Sequence, residues 1–253
     1  DIRKLRRRLT FKGVEEIAIE IETKLYNSIF SKKEQPEISL SDLKAKLHEI
    51  HHLLVSDYHS MFAKEVDALI NKVNNFGYHF ASLDIRQDSR VHHEAFMTLL
   101  KGAQKQGVVS KDVDYLQLDE SEKIDFLTTL KGDLLPEKFS DDLVNKTLGS
   151  IRAMQKIQSQ NGELGCHRYI ISNNQTAQNI FEVFAMIRLS NWESPTVDIA
   201  PLFETISDLS ISPKVMDVVY SDPTYRNHLR TRGDKQTIML GFSDGTKDGG
   251  YLM

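Results

Sequence analysis

The fold is decided by residues 168–200, which read RYIISNNQTAQNIFEVFAMIRLSNWESPTVDIA. Arg168–Ser172 and Thr196–Ala200 are short apolar runs bounded by polar residues, which predict buried strands. The segment between them, 175–190, places apolar side chains on one helical face, namely those of Ile180, Val183, Phe184 and Ile187. A strand, a helix and a second strand in this order predict a βαβ unit with parallel strands.

Two more segments extend this pattern in both directions along the chain. Phe80–Ile85 and Thr237–Gly241 are short apolar runs that also predict strands. Between the last two strands, Ser212–Leu229 has the apolar spacing of a helix. We therefore predict a helix-rich α/β fold with about four parallel strands and many added helices. Four strands are too few to close an eight-stranded barrel.

The amino-terminal part has a different pattern. From residue 12 to 75, apolar residues recur at helical spacing, for example at Leu43, Leu47, Ile50 and Leu54 and again at Phe62, Val66, Leu69 and Val73. A polar stretch at 31–36 separates the first helix from the next, and Ser39 or Ser41 could cap the latter. We predict two or three helices and a division into a helical region, 1–75, and a partial barrel, 76–253.

Composition excludes several classes of function. The 253 residues include 32 Lys and Arg against 36 Asp and Glu, a net charge of −4, so no strong positive field attracts nucleic acid. The basic run Arg3–Arg8 is better explained as a solvated helix face than as a nucleic-acid or lipid-binding arm. Since no run of about 18 apolar residues occurs, we expect no membrane span. The single Cys166 cannot form an internal disulfide, which favours a reducing, cytoplasmic location.

Charged residues follow three of the four predicted strands. They are Arg86 after the first, Glu204 after the third, and Asp244 and Lys247 after the last. Active-site residues of parallel α/β folds lie at the carboxyl ends of strands, so we expect these four side chains at one edge. Each has a structural alternative: Arg86 could pair with Asp84 or Asp88, Glu204 could begin a helix, and Asp244 could cap a turn.

Together the four side chains form a chemically coherent set. Glu204 and Asp244 are hard oxygen donors that suit Mg²⁺ or Mn²⁺, with water and substrate oxygens completing the shell. Arg86 offers a planar fork of donors for a carboxylate or phosphate, and Lys247 adds a compact cation. The set predicts a metal-assisted site for an anionic substrate.

Two other motifs are weaker. His48–His52 fits the HExxH pattern of zinc proteases, but no third ligand follows on a matching helix, so we interpret it as a partly exposed helix surface. The glycines 241, 245, 249 and 250 match neither common phosphate-binding pattern. We expect them to form a tight loop with positive φ over the site.

Three segments carry a resemblance to a known family: LDIRQDS at 83–89, IAPLFET at 199–205 and MLGFSDGTKD at 239–248. In this order they resemble phosphoenolpyruvate carboxylase, and the resemblance extends from about residue 76 to 253. It implies an elaborated eight-stranded barrel that carboxylates phosphoenolpyruvate with bicarbonate, yielding oxaloacetate and phosphate. By that likeness Glu204 and Asp244 are the ligands of Mg²⁺ or Mn²⁺, and Arg86 and Lys247 are catalytic and bind substrate.

The resemblance also implies a homotetramer for whole family members, and the chain would be a central piece of a longer enzyme. It begins at Asp1 and ends shortly after a glycine pair, and the family's upstream His and downstream Gly- and Arg-rich loop have no counterpart. We therefore expect the isolated chain to be nearly inactive. Two alternatives stay open: a non-catalytic helical module for assembly or binding, and another Mg²⁺- or Mn²⁺-dependent barrel enzyme acting on phosphorylated or keto acids.

Overall fold

A computed structural model of the chain describes residues 11–30, 35–110, 113–134 and 139–251. These described residues form ten α-helices and four β-strands in two compact units. The first unit contains the described residues up to 82 together with 156–165, and the second contains the others. The basic run Arg3–Arg8 and most of the polar stretch 31–36 lie outside the described residues.

The first unit is built on three helices: α1 is Val14–Phe30, α2 is Leu40–Asp57 and α3 is Ala63–Phe76. Ser39 caps α2, because its hydroxyl oxygen accepts a hydrogen bond from the Asp42 amide at 3.0 Å. Leu43, Leu47, Ile50 and Leu54 are all buried on one face of α2. The three helices and the cap confirm the helical reading of this region.

The apolar face of α3 is only partly covered. Phe62 precedes the helix in a left-handed conformation and, like Leu69, is about half exposed. Both side chains line an open apolar groove of about 620 Å³, together with residues of α1 such as Tyr26 and Ile29. The helical spacing therefore predicted α3 correctly, but not all of the apolar side chains on that face are buried.

The second unit contains one parallel sheet whose strands follow chain order. Its strands are β1, Asp84–Asp88; β2, Arg168–Ser172; β3, Asp198–Phe203; and β4, Met239–Leu240. The register pairs Arg86 with Ile170, Ile170 with Ala200, and Phe203 with Leu240. The predicted α/β fold with four parallel strands is confirmed.

Strand boundaries differ from the prediction except at β2. Phe80 and Leu83 lie before β1 and are 77% and 58% exposed, so the predicted strand Phe80–Ile85 is wrong over its first half. β3 starts and ends later than Thr196–Ala200, and β4 is shorter than Thr237–Gly241. Main-chain pairing with β2 draws the polar residues Asp84–Asp88 into the sheet, although their side chains lack a strand-like apolar pattern.

Between β1 and β2 the chain forms α4, Ser89–Lys105, α5, Glu120–Thr129, and α6, Asp142–Asn161, with short 3₁₀ turns at Tyr115–Gln117 and Glu163–Gly165. After β2 come α7, Ala177–Leu189; α8, Ile206–Ser221; α9, Pro223–Thr231; and α10, Phe242–Gly249.

The predicted helix 212–229 is really two helices. Asp222 accepts from the Tyr225 amide at 2.7 Å and Pro223 opens the new helix, so the chain restarts there. In the described parts of the chain, no helix is both long and apolar enough to cross a membrane.

A partly buried ion pair stabilises the amino-terminal edge of the sheet. Arg232 Nε donates to Asp198 Oδ1 at 2.7 Å, and the Arg232 side chain is only 10% exposed. We expect Arg232→Ala to lower the free energy of unfolding by about 2 kcal/mol, since Asp198 would lose a charged donor in a largely desolvated place. Urea denaturation measures this loss.

Arg226→Ala is the matched control. Arg226 Nη2 lies 3.6 Å from Asp234 Oδ1, and both side chains are about half exposed. Exposed pairs add little stability, so this variant should unfold at nearly the same urea concentration as the parent chain. Equal destabilisation by the two substitutions would contradict the structural role of Arg232.

Candidate active site

The carboxyl edge of the sheet brings Arg86 and Glu204 together. Arg86 lies inside β1, not after it as predicted, and its Nη2 is 4.0 Å from Glu204 Oε2. Arg86 is on β1 and Glu204 directly follows β3, and β2 lies between these two strands. The arginine is about half exposed and the glutamate is 20% exposed, so the pair faces an accessible side of the sheet.

The structural alternatives for Arg86 are not what the structure shows. Asp84 lies 4.0 Å from Arg168 instead, and Asp88 receives a bidentate hydrogen bond from Arg90 at 2.8 and 3.0 Å. The Arg90 guanidinium also lowers the pKa of the Asp88 carboxyl. Both acids beside Arg86 in sequence therefore have other cations, and Arg86 is directed at Glu204.

Glu204 is the residue between β3 and the cap of α8. Thr205 and Asp208 form a capping box at the start of that helix, so the glutamate is not used for capping. Its Oε1 accepts a hydrogen bond from the backbone N–H of Asn173 at 2.7 Å. A charge-assisted hydrogen bond from a main-chain amide orients the carboxylate more firmly than a hydrogen bond from a mobile side chain would.

Asp244 and Lys247 lie on α10, directly after β4. Lys247 Nζ donates to Asp244 Oδ1 at 3.2 Å, and both side chains are substantially exposed. Asp248 Oδ2 accepts from the amide of Ile206 at 2.9 Å, which ties α10 to the first residue of α8. The two helices that follow β3 and β4 are thereby connected next to Glu204.

The predicted glycine loop is wrong. Gly241, with φ of −80°, precedes α10, and Gly245 and Gly249 lie within that helix; only Gly250, after its end, has a positive φ. Gly241 has a steric role instead, because a Cβ there would come within 2.9 Å of the Glu204 Cα. The missing side chain allows β4 to approach the end of β3 closely.

The donor set fits a hard divalent cation. In the described part of the chain, no group of three or more His, Cys, Asp or Glu side chains is arranged to hold a metal. Mg²⁺ commonly uses one or two carboxylates and takes its other ligands from water and substrate, so a site of this kind needs fewer acidic side chains than such a group contains. A structural zinc site would need four protein ligands with nitrogen or sulfur donors.

The HExxH motif forms no such site in the described residues. His51 Nε2 lies 3.1 Å from Asp67 Oδ1, which pairs the middle histidine of the motif with α3. His48 and His52 are exposed on α2. This agrees with the interpretation of the motif as a helix surface.

One residue at the site, Asn173 directly after β2, is not among the residues that the sequence predicts. Asn173 adopts a left-handed φ of 53° and supplies the amide that binds Glu204, while its carbonyl accepts from the Ser89 hydroxyl at 2.6 Å. The polar run Ser172–Gln175 at the end of a buried strand was the available signal, because Asn tolerates the left-handed region in turns. It carries no charge, so the charged residues at strand ends do not point to it.

Acids and cations in close pairs at the carboxyl ends of parallel strands are the arrangement in which α/β proteins commonly place their active sites. Comparison with known proteins gives the particular family. The family model for phosphoenolpyruvate carboxylase matches residues 2–253. The chain is 31% identical over 220 residues to a phosphoenolpyruvate carboxylase of Gloeobacter violaceus, covering 83% of this chain and 23% of that protein. It is 32% identical over 228 residues to one of Rhodopseudomonas palustris, covering 86% and 24%.

The chain belongs to the phosphoenolpyruvate carboxylase family. It spans a little under a quarter of the length of the curated relatives described above.

Proposed function

We propose that the carboxyl edge of this sheet is part of the active site of a phosphoenolpyruvate carboxylase. The reaction combines phosphoenolpyruvate with bicarbonate and yields oxaloacetate and inorganic phosphate. The observation that carries the proposal is the 4.0 Å approach of Arg86, on β1, to Glu204, directly after β3, in a chain of this family.

The two cations bind and orient the substrates. The Arg86 guanidinium can hold a carboxylate or phosphate through two parallel hydrogen bonds, and half of its side chain is free to solvent. Lys247 is a mobile point charge beside Asp244 and neutralises a second anion. Two anionic substrates repel one another, so positive charge at this edge is needed to keep both at reacting distance.

Glu204 and Asp244 would hold Mg²⁺ or Mn²⁺. When bound, the metal would supply positive charge for the anionic oxygens of the substrates. The Asn173 amide leaves Oε2 of Glu204 as the oxygen facing the site, and Lys247 occupies one oxygen of Asp244. The homotetramer and the cytoplasmic location implied by the family remain predictions.

Manganese binding tests the metal assignment. We expect the 253-residue chain to bind Mn²⁺, and Glu204→Gln or Asp244→Asn to weaken binding at least about tenfold, because each removes one of two charged ligands. Electron paramagnetic resonance of free Mn²⁺ measures the affinity directly and needs no turnover.

Glu193→Gln is the control for a general loss of negative charge. Glu193 is exposed and its Oε1 accepts from Lys131 Nζ at 2.8 Å, a surface pair whose removal should leave Mn²⁺ affinity unchanged. Undiminished binding in both Glu204→Gln and Asp244→Asn would refute the metal assignment. It would also favour the alternative that the chain is a non-catalytic binding module.

A further inference from the structure

Residue Asn173 is held from both sides by residues of two other strand ends. Its backbone N–H donates to Glu204 Oε1 at 2.7 Å, and its carbonyl accepts from the Ser89 hydroxyl at 2.6 Å. Ser89 is the first residue of α4, directly after β1, and Glu204 directly follows β3. A chain of two hydrogen bonds therefore crosses the carboxyl edge from β1 to β3 through the loop after β2.

Asn173, the residue between the two hydrogen bonds, needs support from both of them. Asn173 has a φ of 53°, a conformation that Asn tolerates better than most residues but that still costs energy and persists only where the surroundings hold it. The amide of the next residue, Asn174, donates to the Leu202 carbonyl at 3.3 Å, so the loop is also attached to β3. The Asn174 side chain is fully buried, and neither of its polar atoms has a hydrogen-bond partner among the described residues. This side chain cannot anchor the loop, which is held by the backbone bonds and by the hydrogen bond of the Asn173 side chain to Asp88.

Ser89 is suited to hold the peptide. It is 4% exposed, and its hydroxyl has the Asn173 carbonyl as its partner at the short end of the range for such bonds. The preceding residue, Asp88, caps α4 through the Arg90 amide at 2.9 Å, so the backbone that carries Ser89 is fixed. The hydroxyl thus approaches Asn173 from a rigid helix start.

From this geometry we infer that Ser89 is a positioning residue for the metal ligand Glu204, acting through the Asn173 peptide. The Ser89 hydroxyl holds the peptide in its left-handed turn, and the turn directs the N–H of Asn173 at Oε1, leaving Oε2 toward Arg86. This inference rests on the proposed function for its metal, while the positioning itself is a property of the metal-free chain. Partners that orient a metal ligand are typically worth 10- to 100-fold in metal affinity.

Ser89→Ala tests the inference in two independent ways. We expect the amide hydrogen of Asn173 to exchange with solvent at least about tenfold faster, since the peptide loses its second anchor. We also expect Mn²⁺ affinity to fall about tenfold. Ser89→Thr keeps a hydroxyl at the same place and should restore both quantities.

Ser190→Ala is the matched control for losing a buried serine hydroxyl. Ser190 is fully buried, and its hydroxyl donates to the Met186 carbonyl at 2.9 Å, away from the strand ends. The Ser190→Ala variant should destabilise the chain as Ser89→Ala does, yet leave the Asn173 exchange rate and Mn²⁺ affinity unchanged. If Ser89→Ala changes both quantities no more than Ser190→Ala does, the inference is overturned.

The two proposals fail in different ways. A chain that binds no Mn²⁺ but shows faster Asn173 exchange in both Ser89→Ala and Glu204→Gln supports the positioning and overturns the metal assignment. A chain that binds Mn²⁺ through Glu204 while Asn173 exchange is insensitive to Ser89→Ala overturns the positioning and leaves the metal assignment standing.

Discussion

Lowering the pH from 7 to 5 should cost the second unit about 4 kcal/mol of unfolding free energy through two buried histidines. His92 on α4 and His228 on α9 are both buried, and burial lowers the pKa of each imidazole from 6.5 to about 4. The unfolded chain therefore binds protons at these sites before the folded chain does. Their stabilising effect is complete above pH 6.5 and is lost progressively as the pH falls toward 4.

The surroundings of each ring explain why it stays neutral. His92 Nε2 contacts the Tyr169 hydroxyl at 3.1 Å, and the charge of Asp88 offsets only part of the burial. His228 packs against the rings of Phe184 and Tyr225; Arg232 lowers its pKa further, while Asp198 and a backbone bond at Val197 raise it. In both rings Nδ1 has no hydrogen-bond partner among the described residues, so no carboxylate awaits the added proton.

One histidine of the same unit acts in the opposite direction. His93 Nδ1 contacts the buried Glu182 carboxylate at 2.7 Å, which raises the pKa of His93. Its contribution is present below pH 6.5 and is lost as the pH rises through its raised pKa. Because His93 is 42% exposed, solvent screens this pair and it only partly offsets the acid loss.

Urea denaturation at pH 7 and pH 5 measures the expected change. His92→Gln and His228→Gln should each lower stability at pH 7 by disturbing the core, but each should reduce the loss between the two pH values by about 2 kcal/mol. His52→Gln, at an exposed position of α2, should leave the pH dependence as it is. An unchanged pH dependence in both buried-site variants would contradict the assignment.

Continuous apolar runs predicted their elements well. β2 was predicted to the residue, because Tyr169, Ile170 and Ile171 form a buried run bounded by polar residues. α7 was predicted within two residues at each end, and Ile180–Leu189 are all buried. In β2 burial follows the hydrophobic pattern, whereas α7 also buries the charged Glu182 and Arg188, which that pattern does not mark.

The boundaries of β1 and β3 depend on features that a hydrophobic pattern does not show. β1 consists mostly of polar residues and exists because its main chain pairs with β2. β3 includes Pro201, a residue that usually argues against a strand interior. For the site, charge at strand ends identified Arg86, Glu204, Asp244 and Lys247. It could not identify Ser89 or Asn173, whose contributions are a hydroxyl and a main-chain amide.

The second large effect is expected at Gly241. A methyl group there would lie 2.9 Å from the Glu204 Cα, closer than real Cβ contacts, and the obstacle is backbone that cannot rotate away. The φ of −80° is open to alanine, so Gly241→Ala introduces a purely steric conflict. Overpacking of this kind costs about 1–3 kcal/mol, and it moves β4 and α10 away from Glu204. We expect Mn²⁺ affinity to fall more than about tenfold, because Asp244 moves with α10.

Gly245→Ala separates this steric effect from glycine replacement in general. A Cβ at Gly245 would lie 3.6 Å from the Glu204 carbonyl oxygen, an ordinary contact, and the residue is within α10. Alanine in a helix is favoured over glycine by roughly 0.5–1 kcal/mol, so this variant should be slightly more stable and bind Mn²⁺ normally. Should Gly241→Ala bind Mn²⁺ as tightly as Gly245→Ala does, the close approach of β4 to Glu204 would not be what places Asp244, and the two carboxylates would not act as one site.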